Sequence, residues 1–153
     1  MKGQISTELL VIVALVLLIF IPLLVLVYFK ANEANQEIGS YQSELAVFRI
    51  ASLANSVGSL GTNTSIETDV FVPKNVQYLK TVRGVQGGEV VMKVDTPDGA
   101  SEIVELVRYP IANPGTLADT STAGGWMRVK ISSEYSTTEG AIIRIEKVTS
   151  SSP

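Results

Sequence analysis

The sequence predicts an α+β protein in which a long N-terminal α-helix packs on a small antiparallel β-sandwich or curved sheet. Two observations lead to this prediction. Apolar residues recur at the helical period as far as about residue 58. From Thr62 onward they alternate with polar residues, as they do in half-buried strands. We therefore expect a helix over 4–60, a β-rich head over 62–148 and a tail over 149–153.

The first part of the predicted helix is suited to a lipid environment. Residues 9–29 contain no charged residue and no Asn, Gln, Ser or Thr. As a helix they would span about 32 Å, which matches the hydrocarbon core of a bilayer. Pro22 removes one backbone hydrogen bond within this segment, so we expect a transmembrane helix that is kinked near Pro22.

The second part of the helix, over 30–58, is amphipathic. Two apolar stripes are expected to pack on the head, and polar residues between them are expected to face water. The first stripe comprises Ala34, Ile38, Tyr41, Leu45 and Phe48, and the second comprises Ile50, Leu53, Val57 and Leu60. Gly58 or Gly61 is the expected C-cap of the helix.

The head reads as five or six short antiparallel strands. The strand predictions cover 66–72, 76–82, 89–95, 100–109, 126–135 and 141–148. Pro97, Asp98 and Gly99 supply the turn of a hairpin between the third and fourth of these. The stretch 111–125 is small and polar, so it is predicted to be a surface loop.

Composition argues against several classes of function. The 153-residue chain has a net charge of −3 and contains neither His nor Cys. It therefore has no thiol nucleophile, no imidazole base and none of the usual zinc or iron ligand sets. Without a run of Lys or Arg it offers no surface for nucleic acid. We expect no catalytic residues, no metal site and no cofactor, and hence no enzyme activity.

One residue in the head is a candidate for modification. Asn63 begins an Asn-Thr-Ser sequon, which makes it a candidate for N-glycosylation. Trp126 and Tyr135 are expected to take part in core or rim packing rather than to form a ligand platform.

Two ordinary interpretations of the N-terminus remain open. A secretory signal peptide fits poorly, because its apolar core is about 7–15 residues long and is followed by a small-residue cleavage site. An uncleaved membrane anchor fits better, although Lys2 and Lys30 on its two sides specify its orientation weakly. For an anchor, Glu8 would be a solvated residue at the helix end.

A third interpretation accounts for more residues. Lys2 and Gly3, followed by "QISTELLVIVALVLL", resemble the class III signal of archaeal type IV pilins. In that family a prepilin peptidase cleaves after the glycine, which implies a leader over 1–3 and a cleavage site between Gly3 and Gln4. The Gln-x-Ser-x-Glu pattern of the family falls on Gln4, Ser6 and Glu8. The apolar segment would then remain in the mature protein.

The resemblance implies a structural role. Subunits would leave the cell membrane, polymerise through their apolar helices and form an extracellular pilus for adhesion. Gln4, Ser6, Glu8 and Pro22 would serve assembly, with the Glu8 carboxylate paired to the α-amino group of Gln4 in a neighbouring subunit. Other partners would be the prepilin peptidase, an assembly ATPase and a membrane platform.

Two alternatives to an adhesion pilus follow. The first is a monomeric, uncleaved, membrane-anchored protein whose head binds an extracellular ligand. The second is an archaellin or a minor pilin of a secretion system. Archaellins typically begin their helix with glycines, whereas this chain carries Glu8 there.

Overall fold

A computed structural model of the protein describes residues 2–96 and 98–148, with side chains described from Thr7 onward. This part of the chain forms one α-helix and seven β-strands. Three parts of the sequence prediction lie outside the described residues: Met1 of the leader, Pro97 of the hairpin turn and the tail 149–153. The elements are α1 (Lys2–Leu60), β1 (Ser65–Val72), β2 (Val76–Arg83), β3 (Gly88–Thr96), β4 (Gly99–Val107), β5 (Gly115–Asp119), β6 (Gly125–Ser136) and β7 (Gly140–Lys147).

The chain divides into two compact units. The first, Met1–Glu37, is helical throughout its described residues. Within it Pro22 lies inside α1, and the helix continues on both sides of the proline. The kink near Pro22 stays a prediction. The second unit, Ile38–Pro153, contains the last part of α1 and all seven strands.

The strands of the second unit form two antiparallel sheets. One has three strands in the order β1-β6-β7, and the other has four in the order β4-β3-β2-β5. A single core is built from both sheets and the helical residues from Ala46 to Val57. The predicted α+β class, with a long helix on a small antiparallel β-structure, is therefore confirmed.

The segment between β4 and β5 joins the two sheets. Ile111 is fully buried and forms a parallel bridge with Ile143 at the edge of β7. The Asn113 amide donates to the Ile145 carbonyl over 2.9 Å and accepts from the Ile145 N–H over 3.0 Å. The Thr81 hydroxyl, on β2, lies 3.5 Å from the Asn113 carbonyl. One segment therefore covers the edge of the three-stranded sheet and fastens it to the four-stranded sheet.

The prediction that 111–125 is entirely loop is wrong. Residues Gly115–Asp119 form β5, which pairs with β2. Leu117 and Ala118 are buried in this strand. Its five residues carry little strand propensity of their own, so pairing with β2 and burial of Leu117 provide the stabilisation.

The helical part of the second unit packs through only one of its two predicted stripes. Ile50 and Val57 are buried and Leu53 is partly buried, as predicted, whereas Leu60 at the helix end is exposed. The first stripe is exposed instead of packed. Small residues on the buried face, which are Ser43, Ala46, Ala51 and Ala54, let the helix backbone approach the sheets closely.

Of the two glycines predicted as the C-cap, Gly61 is the one that ends the helix. Gly61 has φ +101°, a left-handed conformation that a residue with a side chain adopts only at a cost. Gly58 lies inside α1 and its Cα faces the ring of Tyr109. A Cβ at this position would lie 2.3 Å from the Tyr109 Cδ2. Gly61 is therefore the C-cap, and Gly58 makes room for an aromatic ring.

The helix also supplies hydrogen-bond partners to backbone groups at the open edge near the end of β4. Asn55 donates from its amide to the Leu106 carbonyl over 3.2 Å and accepts from the Arg108 N–H over 2.8 Å. The Leu106 carbonyl belongs to β4, the edge strand of the four-stranded sheet, and Arg108 directly follows the last residue of this strand. One side chain thereby replaces a neighbouring strand at this point.

Candidate functional site

The apolar segment of α1 is exposed around its whole circumference. Among the large apolar side chains of 9–29, exposure ranges from 47% at Val16 to 72% at Leu18. Within the described residues, α1 is long and apolar enough by length and composition to cross a membrane. The surface of this segment is therefore compatible with membrane anchoring, and in water it would require another apolar cover.

Glu8 lies at the start of this apolar surface. Its side chain is exposed and lines a shallow groove of about 380 Å³ with Thr7, Val11 and Ile12. Among residues 7–29, Glu8 is the only one that carries a charge. The backbone of Gly3, Gln4 and Ser6 is helical, and the side chains of Gln4 and Ser6 lie outside the described residues.

The predicted glycosylation residue lies in the turn between α1 and β1. Asn63 is exposed and has φ +65°, and its N–H donates to the Ser133 carbonyl over 3.0 Å. The bonded backbone fixes the turn while the side chain faces solvent. An exposed sequon in a turn is accessible to a modifying enzyme, so modification of Asn63 stays a prediction.

The solvent-facing side of the three-stranded sheet carries ion pairs between neighbouring strands. Arg128 on β6 donates from Nε to the Asp69 carboxylate over 2.9 Å, and Arg144 on β7 donates from Nε to Glu134 over 2.7 Å. The hydrogen bond from Arg128 lowers the pKa of Asp69, and the bond from Arg144 lowers the pKa of Glu134. This face is polar and largely compensated in charge.

These two ion pairs predict that the folded head becomes less stable as the pH falls. A carboxyl whose pKa is lowered by folding stabilises the folded state above its unfolded pKa of about 4, and loses that contribution as the pH falls. Urea denaturation should therefore show a lower midpoint at pH 3 than at pH 7. The variant with both Asp69→Asn and Glu134→Gln should show a smaller fall between the two pH values. A fall as large as in the wild type would show that other groups carry the dependence.

An exposed apolar ridge runs along the helix of the second unit. We define the ridge as Tyr41, Leu45 and Phe48, which are 68%, 65% and 56% exposed. Each of these side chains is more than half exposed in the described chain, although they are of the type that usually forms a core. Ile38 extends the same surface and is also exposed.

A groove lies on each side of the ridge. The first, here called the acidic groove, has a volume of about 240 Å³ and is lined by Tyr41, Glu44, Leu45, Phe48 and Glu105. The second, here called the basic groove, has a volume of about 330 Å³ and is lined by Gln42, Leu45, Ala46, Arg49, Val70, Phe71 and Trp126. Leu45 lines both grooves and therefore forms the crest between them.

Trp126 forms the rim of the basic groove. Its ring packs edge-on against Phe71, with ring centroids 5.5 Å apart, and remains 73% exposed. Tyr135 is also exposed. Neither residue therefore lies in the core, and Trp126 takes the rim position that the sequence prediction left open. An exposed Trp beside a groove is typical of a contact surface.

Helical spacing alone predicts neither groove. Glu44 and Arg49 lie among the polar residues that are expected to face water, and they are exposed. The ridge is expected to pack on the head and is exposed instead. The two helical faces differ in side-chain size. The buried face places four small residues among Val47, Ile50 and Val57, whereas the exposed face carries Tyr, Leu and Phe. The face with the small residues packs closely, which leaves the other face outside.

Among the described residues, no group of three or more Asp and Glu side chains is placed to hold a metal ion. Comparison of the chain with models of protein families, with curated proteins and with solved structures found no match.

Proposed function

We propose that this protein is the subunit of an archaeal type IV-like surface pilus and that it polymerises through its apolar N-terminal helix. The observation that carries the proposal is the exposed apolar circumference of 9–29, preceded by one carboxylate at Glu8. Such a helix must be covered either by lipid or by other copies. Lipid alone would explain the apolar residues but not the spacing of Gly3, Gln4, Ser6 and Glu8.

The proposed sequence of events begins in the membrane. A prepilin peptidase removes residues 1–3 and creates an α-amino group on Gln4. An assembly ATPase and a membrane platform then move the subunit into the filament, where its helix packs on other copies. A head-to-tail contact between identical subunits does not close and therefore extends into a helical fibre. The extracellular filament would present the heads for adhesion.

The test uses native protein from the cell surface. We expect electron microscopy of material sheared from cells to show filaments. The intact mass of their subunit should correspond to a chain that begins at Gln4. A chain that remains in the membrane fraction as a monomer and retains Met1 would favour the anchored binding protein and contradict the proposal. Filaments whose subunit retains the leader would contradict the cleavage site alone.

A further inference from the structure

The ridge on the second unit has flanks of opposite charge. Glu44 and Glu105 line the acidic groove, and Arg49 lines the basic groove on the opposite side of Leu45. Glu44 and Arg49 are exposed, and Glu105 is partly exposed. One surface therefore presents an apolar centre with a negative edge and a positive edge.

The charges on these edges are largely uncompensated within the second unit. Arg49 makes no hydrogen bond or ion pair among the described residues. The positive charge of Arg49 interacts electrostatically with the carboxylate of Asp69. That carboxylate already accepts two hydrogen bonds from Arg128. Glu44 and Glu105 likewise have no ion pair in the described chain. Arg108 lines a neighbouring groove together with Glu105 but forms no ion pair with it.

We propose that the basic groove of one copy packs on the acidic groove of a second copy. Trp126 and Arg49 of one subunit would face Tyr41 and Phe48 of the next, with the Arg49 guanidinium close to the next subunit's Glu44 and Glu105 carboxylates. This contact rests on the proposed function, since it is a contact within the filament.

The geometry of the two grooves agrees with a fibre. Because they lie on opposite sides of one ridge, a contact that joins them uses two different faces of each copy. Such a contact is heterologous, and repetition of it leaves one free face of each kind at the two ends. Aromatic anchors and an Arg at the centre of a contact contribute most of the binding energy, and opposite charges set the register.

Charge reversal tests the contact in the full-length chain. Arg49→Glu should place three carboxylates together and reduce the filament yield about tenfold or more, because like charges facing each other cost several kcal/mol. The acidic-groove reversal, Glu44→Arg with Glu105→Arg, should reduce the yield similarly. The combined variant with all three substitutions restores opposite charges, so its yield should return to within about twofold of the wild type.

Matched controls separate this contact from a general effect of charge. Lys147→Glu and Asp98→Arg reverse exposed charges away from both grooves, and both variants should assemble normally. Wild-type chains that form no filaments would overturn the proposed function and this contact with it. Normal filaments from both groove reversals would overturn the contact alone and leave the ridge to a different partner or to lipid. Failure of the combined variant to recover would also overturn the charge pairing.

Cysteine cross-linking gives a second measurement that does not depend on charge. The chain contains no Cys, so each engineered thiol is unique. Filaments assembled from a mixture of Trp126→Cys chains and Phe48→Cys chains should yield disulfide-linked dimers on oxidation. Neither variant alone should do so in a heterologous contact. Dimers from either variant alone, or none from the mixture, would contradict the proposed pairing.

Discussion

Replacement of Gly58 by alanine is expected to destabilise the second unit by up to about 2 kcal/mol, although alanine is the better helix former. A Cβ at Gly58 would lie 2.3 Å from Cδ2 and 2.4 Å from Cε2 of the Tyr109 ring. Overpacking of this kind costs about 1–3 kcal/mol, whereas the gain in helix propensity is about 1 kcal/mol. The ring is attached to the segment that joins the two sheets, so it has little freedom to move. The clash should therefore outweigh the propensity.

Gly39 in the same helix provides the matched control. A Cβ there would meet the Asn75 Oδ1 at 3.4 Å, which is an ordinary contact. Gly39→Ala should therefore stabilise the protein, by at most about 1 kcal/mol. Urea denaturation followed by the fluorescence of Trp126, the single Trp of the chain, reports on the second unit. The same sign of effect for both substitutions would contradict the packing of Tyr109 on Gly58.

A double variant isolates the ring itself. Tyr109→Ala alone should destabilise the protein through lost packing. In the Tyr109→Ala background, the added Gly58→Ala substitution should become neutral or stabilising, because the atoms that it would meet have been removed. An equally large loss in both backgrounds would assign the effect to the helix backbone rather than to the ring.

The parts of the fold that were predicted correctly are those with a local pattern. Met127, Val129 and Ile131 alternate with charged residues in the sequence, and in β6 they are buried while the charged residues between them are exposed. A period of two is sufficient to define such a strand. The apolar segment 9–29 is defined by composition in the same way. β5 has no comparable pattern, since it exists through its pairing with β2 and was therefore missed.

The ridge shows a different limit of sequence reasoning. Helical spacing indicates which residues share a face, but it does not indicate which of two apolar faces is covered. Here the sheets lie against the face that contains Ala46, Ile50 and Ala54, and Tyr41 and Phe48 remain exposed. That choice depends on how closely the helix approaches the sheets, which is a property of the packed structure.

The candidate functional residues also include some with a local sequence pattern and some without one. Glu8 and the residues before it are candidates because they form a gapped motif within a few positions, and their role stays a prediction. The basic groove could not be found, because it brings together Leu45, Phe71 and Trp126 from distant parts of the chain. Their juxtaposition follows from the register of β1 with β6, in which Phe71 is directly opposite Trp126.

Removal of the charge at Glu8 is expected to abolish filament formation and to leave membrane insertion intact. In the proposed filament, the Glu8 carboxylate lies among apolar helices and is paired with the α-amino group of Gln4 in a neighbouring subunit. Removal of one partner from such a buried pair costs about 3–5 kcal/mol, because the other charge is left without compensation. Filament yield should therefore fall about 100-fold or more. Glu8→Gln is the preferred substitution, since it removes the charge and keeps the shape.

The control variant and the mass of the product make this prediction specific. Glu33→Gln removes another exposed helical carboxylate, one that is paired with Lys30 in the same chain, and it should assemble normally. The Glu8→Gln subunit should still lack residues 1–3, which would place the defect after cleavage. Blocking the cleavage with Gly3→Val should give the same loss of filaments, because no α-amino group then exists on Gln4. Normal filaments from Glu8→Gln would contradict the pairing, and normal filaments from uncleaved Gly3→Val chains would show that the new amine is not its partner.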